Sequence, residues 1–217
     1  MATPATEPPW RRALRAAAIL LVVALAGFGL VAVLHEATRG RIAAIEREQV
    51  LMRFRDVLHG RPFDNDLLGD TVTVQDAELL GTPAPVTAYR ARWHGQPVAV
   101  VLTPVAPDGY AGSIRLLVAV APDGTLLGVR VTEHHETPGL GDAIDAQRSG
   151  WIERFTGRSL ANPSRELWRV RKDGGDFDQF TGATVTPRAV VGAVARALEY
   201  FQRHREALLA APATMPQ

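Results

Sequence analysis

With 217 residues, the chain has room for one globular domain and a smaller appendage. Its 24 basic and 23 acidic residues leave a net charge of +1, so no polyelectrolyte partner is implied. Zinc-finger, RRM and basic-helix signatures are missing, which sets nucleic-acid binding aside. No cysteine is present, and this excludes disulfides, thiolate metal sites, iron–sulfur clusters and a cysteine nucleophile in this chain while permitting an oxidising compartment.

Residues 1–15 form a short polar start that closes on Arg11, Arg12 and Arg15. Ala16 to Leu34 is then an uninterrupted run of 19 uncharged residues. As a helix it would rise about 28 Å, close to the roughly 30 Å hydrocarbon core of a bilayer. A cleaved signal peptide is the rival reading, but the run exceeds the usual apolar region and Val33-Leu34-His35-Glu36 offers no small-x-small cleavage site. A transmembrane helix over 16–35 is expected, with 1–15 as a cytoplasmic tail. Arg11, Arg12 and Arg15 before the span outweigh Arg39 and Arg41 after it. By the positive-inside bias the rest of the chain is exported, which in a bacterium means the periplasm.

Over 36–59, Ile42, Ile45, Leu51, Phe54 and Leu58 recur among Arg, Glu and Gln at helical spacing. A stalk helix and linker over 36–69 is expected, broken by the Pro62-Phe63-Asp64-Asn65-Asp66 cluster. From residue 70 the period becomes two. Thr71–Val74 reads as a strand, and Val86–Trp93 with Pro97–Pro104 as a hairpin around His94-Gly95-Gln96. Ile114–Ala121 and Thr125–Glu133 flank Pro122-Asp123-Gly124 and read as a stronger hairpin. Short turns between strands imply an antiparallel sheet with an apolar face to cover. Gly141–Phe155 is expected as a helical cover, Leu167–Val170 as a last strand, and 187–210 as a helix packing through a valine stripe. Glu199 and Arg203 are spaced to pair on its wet side. The expected fold class is α+β: one N-terminal transmembrane helix, then a single domain over 70–210 with an antiparallel sheet covered by helices, and a tail over 211–217.

Two stretches carry chemistry. The first is Glu133-His134-His135-Glu136-Thr137-Pro138-Gly139-Leu140-Gly141. Adjacent histidines on an extended chain point to opposite faces, so one ion does not easily take both, and no metal site is assigned. The Pro-Gly-Leu-Gly turn holds the backbone tight and presents a small apolar surface, which a plain sheet corner would also do. The second is Asp178-Gln179-Phe180-Thr181-Gly182-Ala183-Thr184-Val185-Thr186-Pro187. Thr186 reads as a helix N-cap and Pro187 as the first helical residue. The loop before a helix start carries free amides and the positive end of the dipole, a ready anion site. Gly182 lets a ligand approach, and Thr184 offers a hydroxyl where a phosphate would sit. Many helices start this way and bind nothing.

Asp178-x-x-Thr181-Gly182-Ala183-Thr184 resembles the flavin-attachment motif of the FMN-binding subunits of Rnf and Na⁺-translocating NADH:quinone reductase complexes. Glu136-Thr137-Pro138-Gly139-Leu140-Gly141 is similar to that family's second motif, and Gly109-Tyr110-Ala111-Gly112 resembles it as well. The matches follow the family's order over roughly residues 90–205. They look closest to the G subunit of Rnf, with the C subunit of the Na⁺-pumping reductase as the near alternative. The resemblance implies covalent FMN through a phosphoester to Thr184, with Asp178 and Thr181 in the motif read by a flavin transferase that uses FAD and Mg²⁺. It implies backbone contacts at Gly182, Ala183 and Val185, and a ring beside Glu136, Thr137, Pro138, Gly139, Leu140 and Gly141. It also implies the A, B, C, D and E subunits of an Rnf complex as partners, and a redox-driven ion translocase in the inner membrane with no activity expected of this chain alone. No residue is assigned a catalytic role. A different class stays open: a membrane-anchored interaction module whose Thr-Gly-Ala-Thr loop only caps a helix or binds an anion reversibly. No Gly-x-Ser-x-Gly elbow, Walker loop or dinucleotide loop competes.

Overall fold

The computed structural model describes residues 9–210. Residues 1–8 of the expected N-terminal tail and the expected C-terminal tail, 211–217, lie outside the described residues, as do the side chains of Arg11, Arg12, Arg39, Arg41, Ile42 and Ile45. The chain divides into two compact units, Met1–Met52 and Arg53–Gln217.

The first unit is made by helix α1, Pro9–Val57, whose last turn belongs to the second. The expected span and stalk are therefore one unbroken helix. Ala17–Thr38 is long and apolar enough to cross a membrane, and none of it is buried within the protein. Leu20 and Phe28 are 69% and 77% exposed, an arrangement that water would penalise and hydrocarbon would not. Thr38 returns its hydroxyl to the Leu34 carbonyl at 2.8 Å, so its polar group is satisfied inside the helix.

The second unit is an antiparallel six-stranded sheet: β1 Thr71–Asp76, β2 Thr82–Trp93, β3 Gln96–Leu102, β4 Val105–Ala106, β5 Ile114–Val120 and β6 Leu126–Glu133. β1, β2 and β3 follow in order. β3 and the short β4 share one edge of β5, opposite Val118–Val120 and Ile114–Arg115 respectively, and β6 takes the other edge. The two expected hairpins thus form, and β4 is an addition.

Helix α2, Val185–Leu209, covers one face of the sheet. Val190, Val191, Val194, Ala197, Leu198 and Phe201 bury against Ile114, Leu116, Val118 and Val120 of β5. A fully buried apolar side chain of this size contributes about 1.5–3 kcal/mol, more than an exposed ion pair at about 0–1 kcal/mol. The valine stripe therefore sets where α2 lies. The opposite sheet face is also closed. Phe54, Val57 and Leu58 are buried, and Phe54 rests on Tyr89 of β2 with centroids 4.6 Å apart. β5 is consequently apolar on both sides, which explains its continuous run Leu116–Val120.

Three local expectations are corrected. Gly141–Phe155 is not one helix but two short 3₁₀ helices, Gly141–Ile144 and Trp151–Phe155. Leu167–Val170 is not a strand: 3₁₀ turns at Arg165–Leu167 and Arg171–Asp173 flank Trp168, whose indole N–H is shared by the Ser159 and Pro163 carbonyls at 3.2 Å. That buried aromatic anchor outweighs the strand propensity of four residues. Glu199 pairs with Arg165 from the preceding loop rather than with Arg203.

Candidate functional site

The two stretches singled out in the sequence meet at the N-terminal end of α2. Each begins as a tight turn. In Thr137-Pro138-Gly139-Leu140, the Leu140 N–H donates to the Thr137 carbonyl at 3.1 Å and Gly139 has φ +77°. A positive-φ glycine at the third position is what a type II turn requires, and proline at the second suits it. Phe180-Thr181-Gly182-Ala183 repeats the design: the Ala183 N–H donates to the Phe180 carbonyl at 3.2 Å, and Gly182 has φ +83°. The turns lie side by side, since a Cβ added to Gly182 would come within 3.6 Å of Leu140 Cδ2.

The second turn delivers Thr184 to the start of α2. Thr184 is half-buried, in helical φ/ψ, and its side chain makes no capping bond. Thr186 is not the N-cap expected from the sequence. Helix α2 starts at Val185, and Pro187 falls inside the first turn, where no intrahelical N–H is needed. The Thr186 hydroxyl is fully buried and donates instead to Glu136 Oε2 at 2.5 Å, a long-range partner that a local capping rule does not consider.

Glu136 is the buried link between the segments. Its Oε1 accepts the Ala111 N–H at 3.2 Å, and its own N–H donates to His134 Nδ1 at 3.1 Å. Gly141 passes so close that a Cβ there would sit 2.7 Å from Glu136 Oε2 and 2.9 Å from Thr186 Oγ1. Glycine at 141 is thus a packing requirement of this carboxylate. An acidic group beside a helix N-terminus also has the sign the dipole favours.

Between the turns opens a cleft of about 320 Å³ lined by Tyr110, Glu136, Thr137, Leu140, Gly141 and Gly182 through Thr186. Of the residues expected from the sequence, Glu136, Thr137, Leu140, Gly141, Gly182, Ala183, Thr184 and Val185 are in this wall. Pro138, Gly139, Thr181 and Asp178 are not. Pro138, Gly139 and Thr181 shape the turns from behind. Asp178 stands at the foot of the second turn: Arg171 Nη1 binds its Oδ1 at 2.8 Å, Arg154 binds its other oxygen, and its carbonyl accepts the Trp151 indole N–H at 2.8 Å. Phe180 packs on the same indole, centroids 5.2 Å apart. Tyr110 and Thr186 are wall residues that the sequence assignment omitted; the signal for Tyr110 was its Gly-Tyr-Ala-Gly setting. Farther along the first turn of α2, Arg188 holds Asp173 in a two-pronged pair at 2.6 and 2.9 Å, which keeps that carboxyl below the usual range.

The wall fits FMN in kind. It carries the exposed apolar side chains of Tyr110, Leu140 and Val185 for a ring to rest on, and a helix start with the Thr184 hydroxyl for a phosphate. No Lys or Arg is among the lining residues.

Residues 109–199 match the FMN-binding domain family, and residues 1–57 match the RnfG N-terminal region. All the wall residues fall within the first of these. The G subunit of the ion-translocating oxidoreductase complex of Pseudomonas aeruginosa is 52% identical over 200 residues, covering 92% of this chain and 94% of that protein. The protein of the same name from Vibrio atlanticus is 47% identical over 194 residues, covering 89% and 92%. The crystal structure of Shewanella oneidensis NqrC has a TM-score of 0.47 at 24% identity, covering 67% of this chain and 74% of that one, a likeness too slight to carry an argument.

Proposed function

The chain belongs to the family of G subunits of ion-translocating oxidoreductase complexes, and from that premise we propose that it is the membrane-anchored flavoprotein subunit of such a complex. It relays electrons through FMN esterified to Thr184 and takes part in coupling electron flow to ion movement across the inner membrane. Its partners are the other subunits of the complex, A to E, and a flavin transferase that matures it. Residues 16–35 cross the membrane, the N-terminal tail stays in the cytoplasm, and 70–210 is the periplasmic flavin domain reached through 36–69.

The observation that carries this reading is the half-buried Thr184 at the start of α2, which lines one cleft together with the Leu140 turn. A phosphate held there by amides alone, with no cationic side chain in the wall, would exchange with solvent. An ester removes that equilibrium. In maturation the Thr184 oxygen displaces AMP from FAD: a new O–P bond forms, the pyrophosphate P–O bond breaks, and the hydroxyl proton goes to solvent or a base on the transferase. Asp178 and Thr181 belong to the stretch the transferase reads. The Ala183 amide is held in the turn by the Phe180 carbonyl, so the amides of Gly182 and Val185 and the dipole of α2 then offset the phosphate charge.

When bound, FMN supplies one-electron redox chemistry. The protein supplies position. The turn Thr137–Gly141 backs the ring with Leu140, and Glu136 ties that turn to Thr186 so that the two walls keep their spacing. The test is a denaturing gel of the chain co-expressed with the transferase. Flavin fluorescence should migrate with the chain and vanish in Thr184→Ala. Fluorescence that persists in Thr184→Ala contradicts the assignment.

A further inference from the structure

Both oxygens of the Asp178 carboxylate are taken from within the chain. Arg154 Nη1 holds Oδ2, and Arg171 Nη1 lies 2.8 Å from Oδ1. The two guanidiniums arrive from separate elements, Arg154 from the 3₁₀ helix Trp151–Phe155 and Arg171 from the 3₁₀ turn Arg171–Asp173. Further bonds run alongside each. The Trp151 indole N–H donates to the Asp178 carbonyl at 2.8 Å. The Arg171 N–H donates to the Phe177 carbonyl at 2.7 Å, and the Lys172 N–H to the Gln179 side-chain oxygen at 3.2 Å. Residues 177–179 are thus gripped by two elements immediately before the turn Phe180–Ala183 that delivers Thr184.

Stability does not account for the paired arginines. Their side chains are 54% and 61% exposed, and ion pairs so open to water add little to folding. The buried Trp151 and Phe155 rings supply the apolar packing of this region. What two cations bound to one carboxylate do supply is direction. Held by one guanidinium the carboxylate could swing with it, whereas held by two from separate elements it fixes the backbone at 178. The turn that follows is closed by its own bond from the Ala183 N–H to the Phe180 carbonyl, so a shift at its foot is carried to the Thr184 oxygen. An oxygen that must meet phosphorus in line tolerates little misplacement.

We propose that Arg154 and Arg171 are positioning residues for flavin attachment. They act through Asp178 to hold the Thr184 turn in the orientation that the transferase accepts, and the Asp178 carboxylate is engaged by them rather than contacted by the enzyme. This deepens the reading of Thr184 as the attachment site and rests on it. Neither arginine lines the cleft, so neither is a ligand of the flavin.

The test measures covalent loading of the full-length chain, made without the transferase and purified in detergent, once purified transferase, FAD and Mg²⁺ are added. Initial rates are read as in-gel flavin fluorescence for wild type, Asp178→Asn, Arg154→Gln/Arg171→Gln, the triple variant that combines them, and Arg154→Lys/Arg171→Lys. Removing both guanidiniums while Asp178 stays in place should lower kcat/KM about ten-fold or more, with Tm close to wild type. Asp178→Asn should fall as far and the triple variant no further, because all three changes break one clamp. The lysine pair should recover most of the rate, since an ammonium still supplies a point charge to each oxygen.

Normal loading in the glutamine pair would overturn the clamp, and a loss confined to Asp178→Asn would show that the enzyme contacts the carboxylate directly. Losses that multiply in the triple variant, a loss confined to the glutamine pair, or a lysine pair no better than glutamine would overturn it as well. In each of those cases attachment at Thr184 stands. A wild-type chain that takes up no covalent flavin would overturn both.

Discussion

Helix α2 meets a buried carboxylate at each end, and the two are built in opposite ways. At its C-terminal end the Ala210 carbonyl accepts Arg90 Nη1 at 3.1 Å and Arg92 Nη2 at 2.5 Å, and the Nε atoms of the same arginines bind the two oxygens of Asp70 at 2.6 and 2.7 Å. At its N-terminal end Glu136 has neutral donors, the Thr186 hydroxyl and the Ala111 N–H. Both ends obey the helix dipole, cations at the carbonyl end and an anion at the amide end. The C-terminal end is closed: two guanidiniums, one carboxylate and a carbonyl satisfy one another. The N-terminal end is satisfied inside but keeps a cleft and an apolar rim outside. One end of the helix is anchored to β2, and the other borders an open cleft.

Substitutions at the two ends should separate those roles. The largest stability loss belongs to Asp70→Ala, which strands two buried guanidiniums and should cost about 3–5 kcal/mol. Thermal unfolding should show it as a large fall in Tm, while folded protein still takes up flavin normally. Glu136→Ala should cost less, about 1–3 kcal/mol for the unsatisfied hydroxyl and amide, yet disturb flavin order more. If Asp70→Ala impairs loading and Glu136→Ala does not, the division between anchor and site is wrong. Thr186→Val removes one arm of the same link; a double-mutant cycle with Glu136→Ala should give a coupling of about 0.5–3 kcal/mol, as for residues in one hydrogen-bond network. Independent, additive effects would break the link. Leu140→Asp, at a side chain 44% exposed, should leave stability within about 0.5 kcal/mol but shift the flavin midpoint potential with the attachment bond intact. An unchanged titration would remove Leu140 from the ring's wall. The smallest effect is at Asp173. Its folded pKa is lowered by the Arg188 bond, so the pair's contribution is present above the ordinary aspartate range and fades as pH falls through the depressed value. Asp173→Asn should therefore lower Tm slightly at neutral pH, where the pair contributes, and converge on wild type in acid, which flattens the acid limb of the profile.

The sheet and α2 were legible because their signals are local. Pro122-Asp123-Gly124 announces the β5–β6 hairpin, and Val190, Val191, Val194, Leu198 and Phe201 announce the buried stripe. The site's turns were legible for the same reason, since Pro138-Gly139 and Thr181-Gly182 encode their own geometry. What escaped was decided at long range. Thr186 looks like a cap until Glu136, fifty residues away in sequence, claims its hydroxyl. Leu167–Val170 looks like a strand until Trp168 is anchored on carbonyls from a preceding loop. The second cover of the sheet comes from Phe54, Val57 and Leu58, at the end of a helix whose start reads as a membrane span. The Gly-Tyr-Ala-Gly setting marks the Tyr110 loop in the sequence, but the bond that ties this loop to the cleft, from the Ala111 N–H to Glu136, is again a long-range one.

The flavoprotein assignment turns on one oxygen atom, and intact-mass spectrometry of the native chain followed by peptide mapping is its sharpest test. A polypeptide heavier by one FMN less one water is expected, with the added mass on Thr184. An unmodified chain from cells that contain the transferase, or an adduct on any other residue, would contradict the assignment.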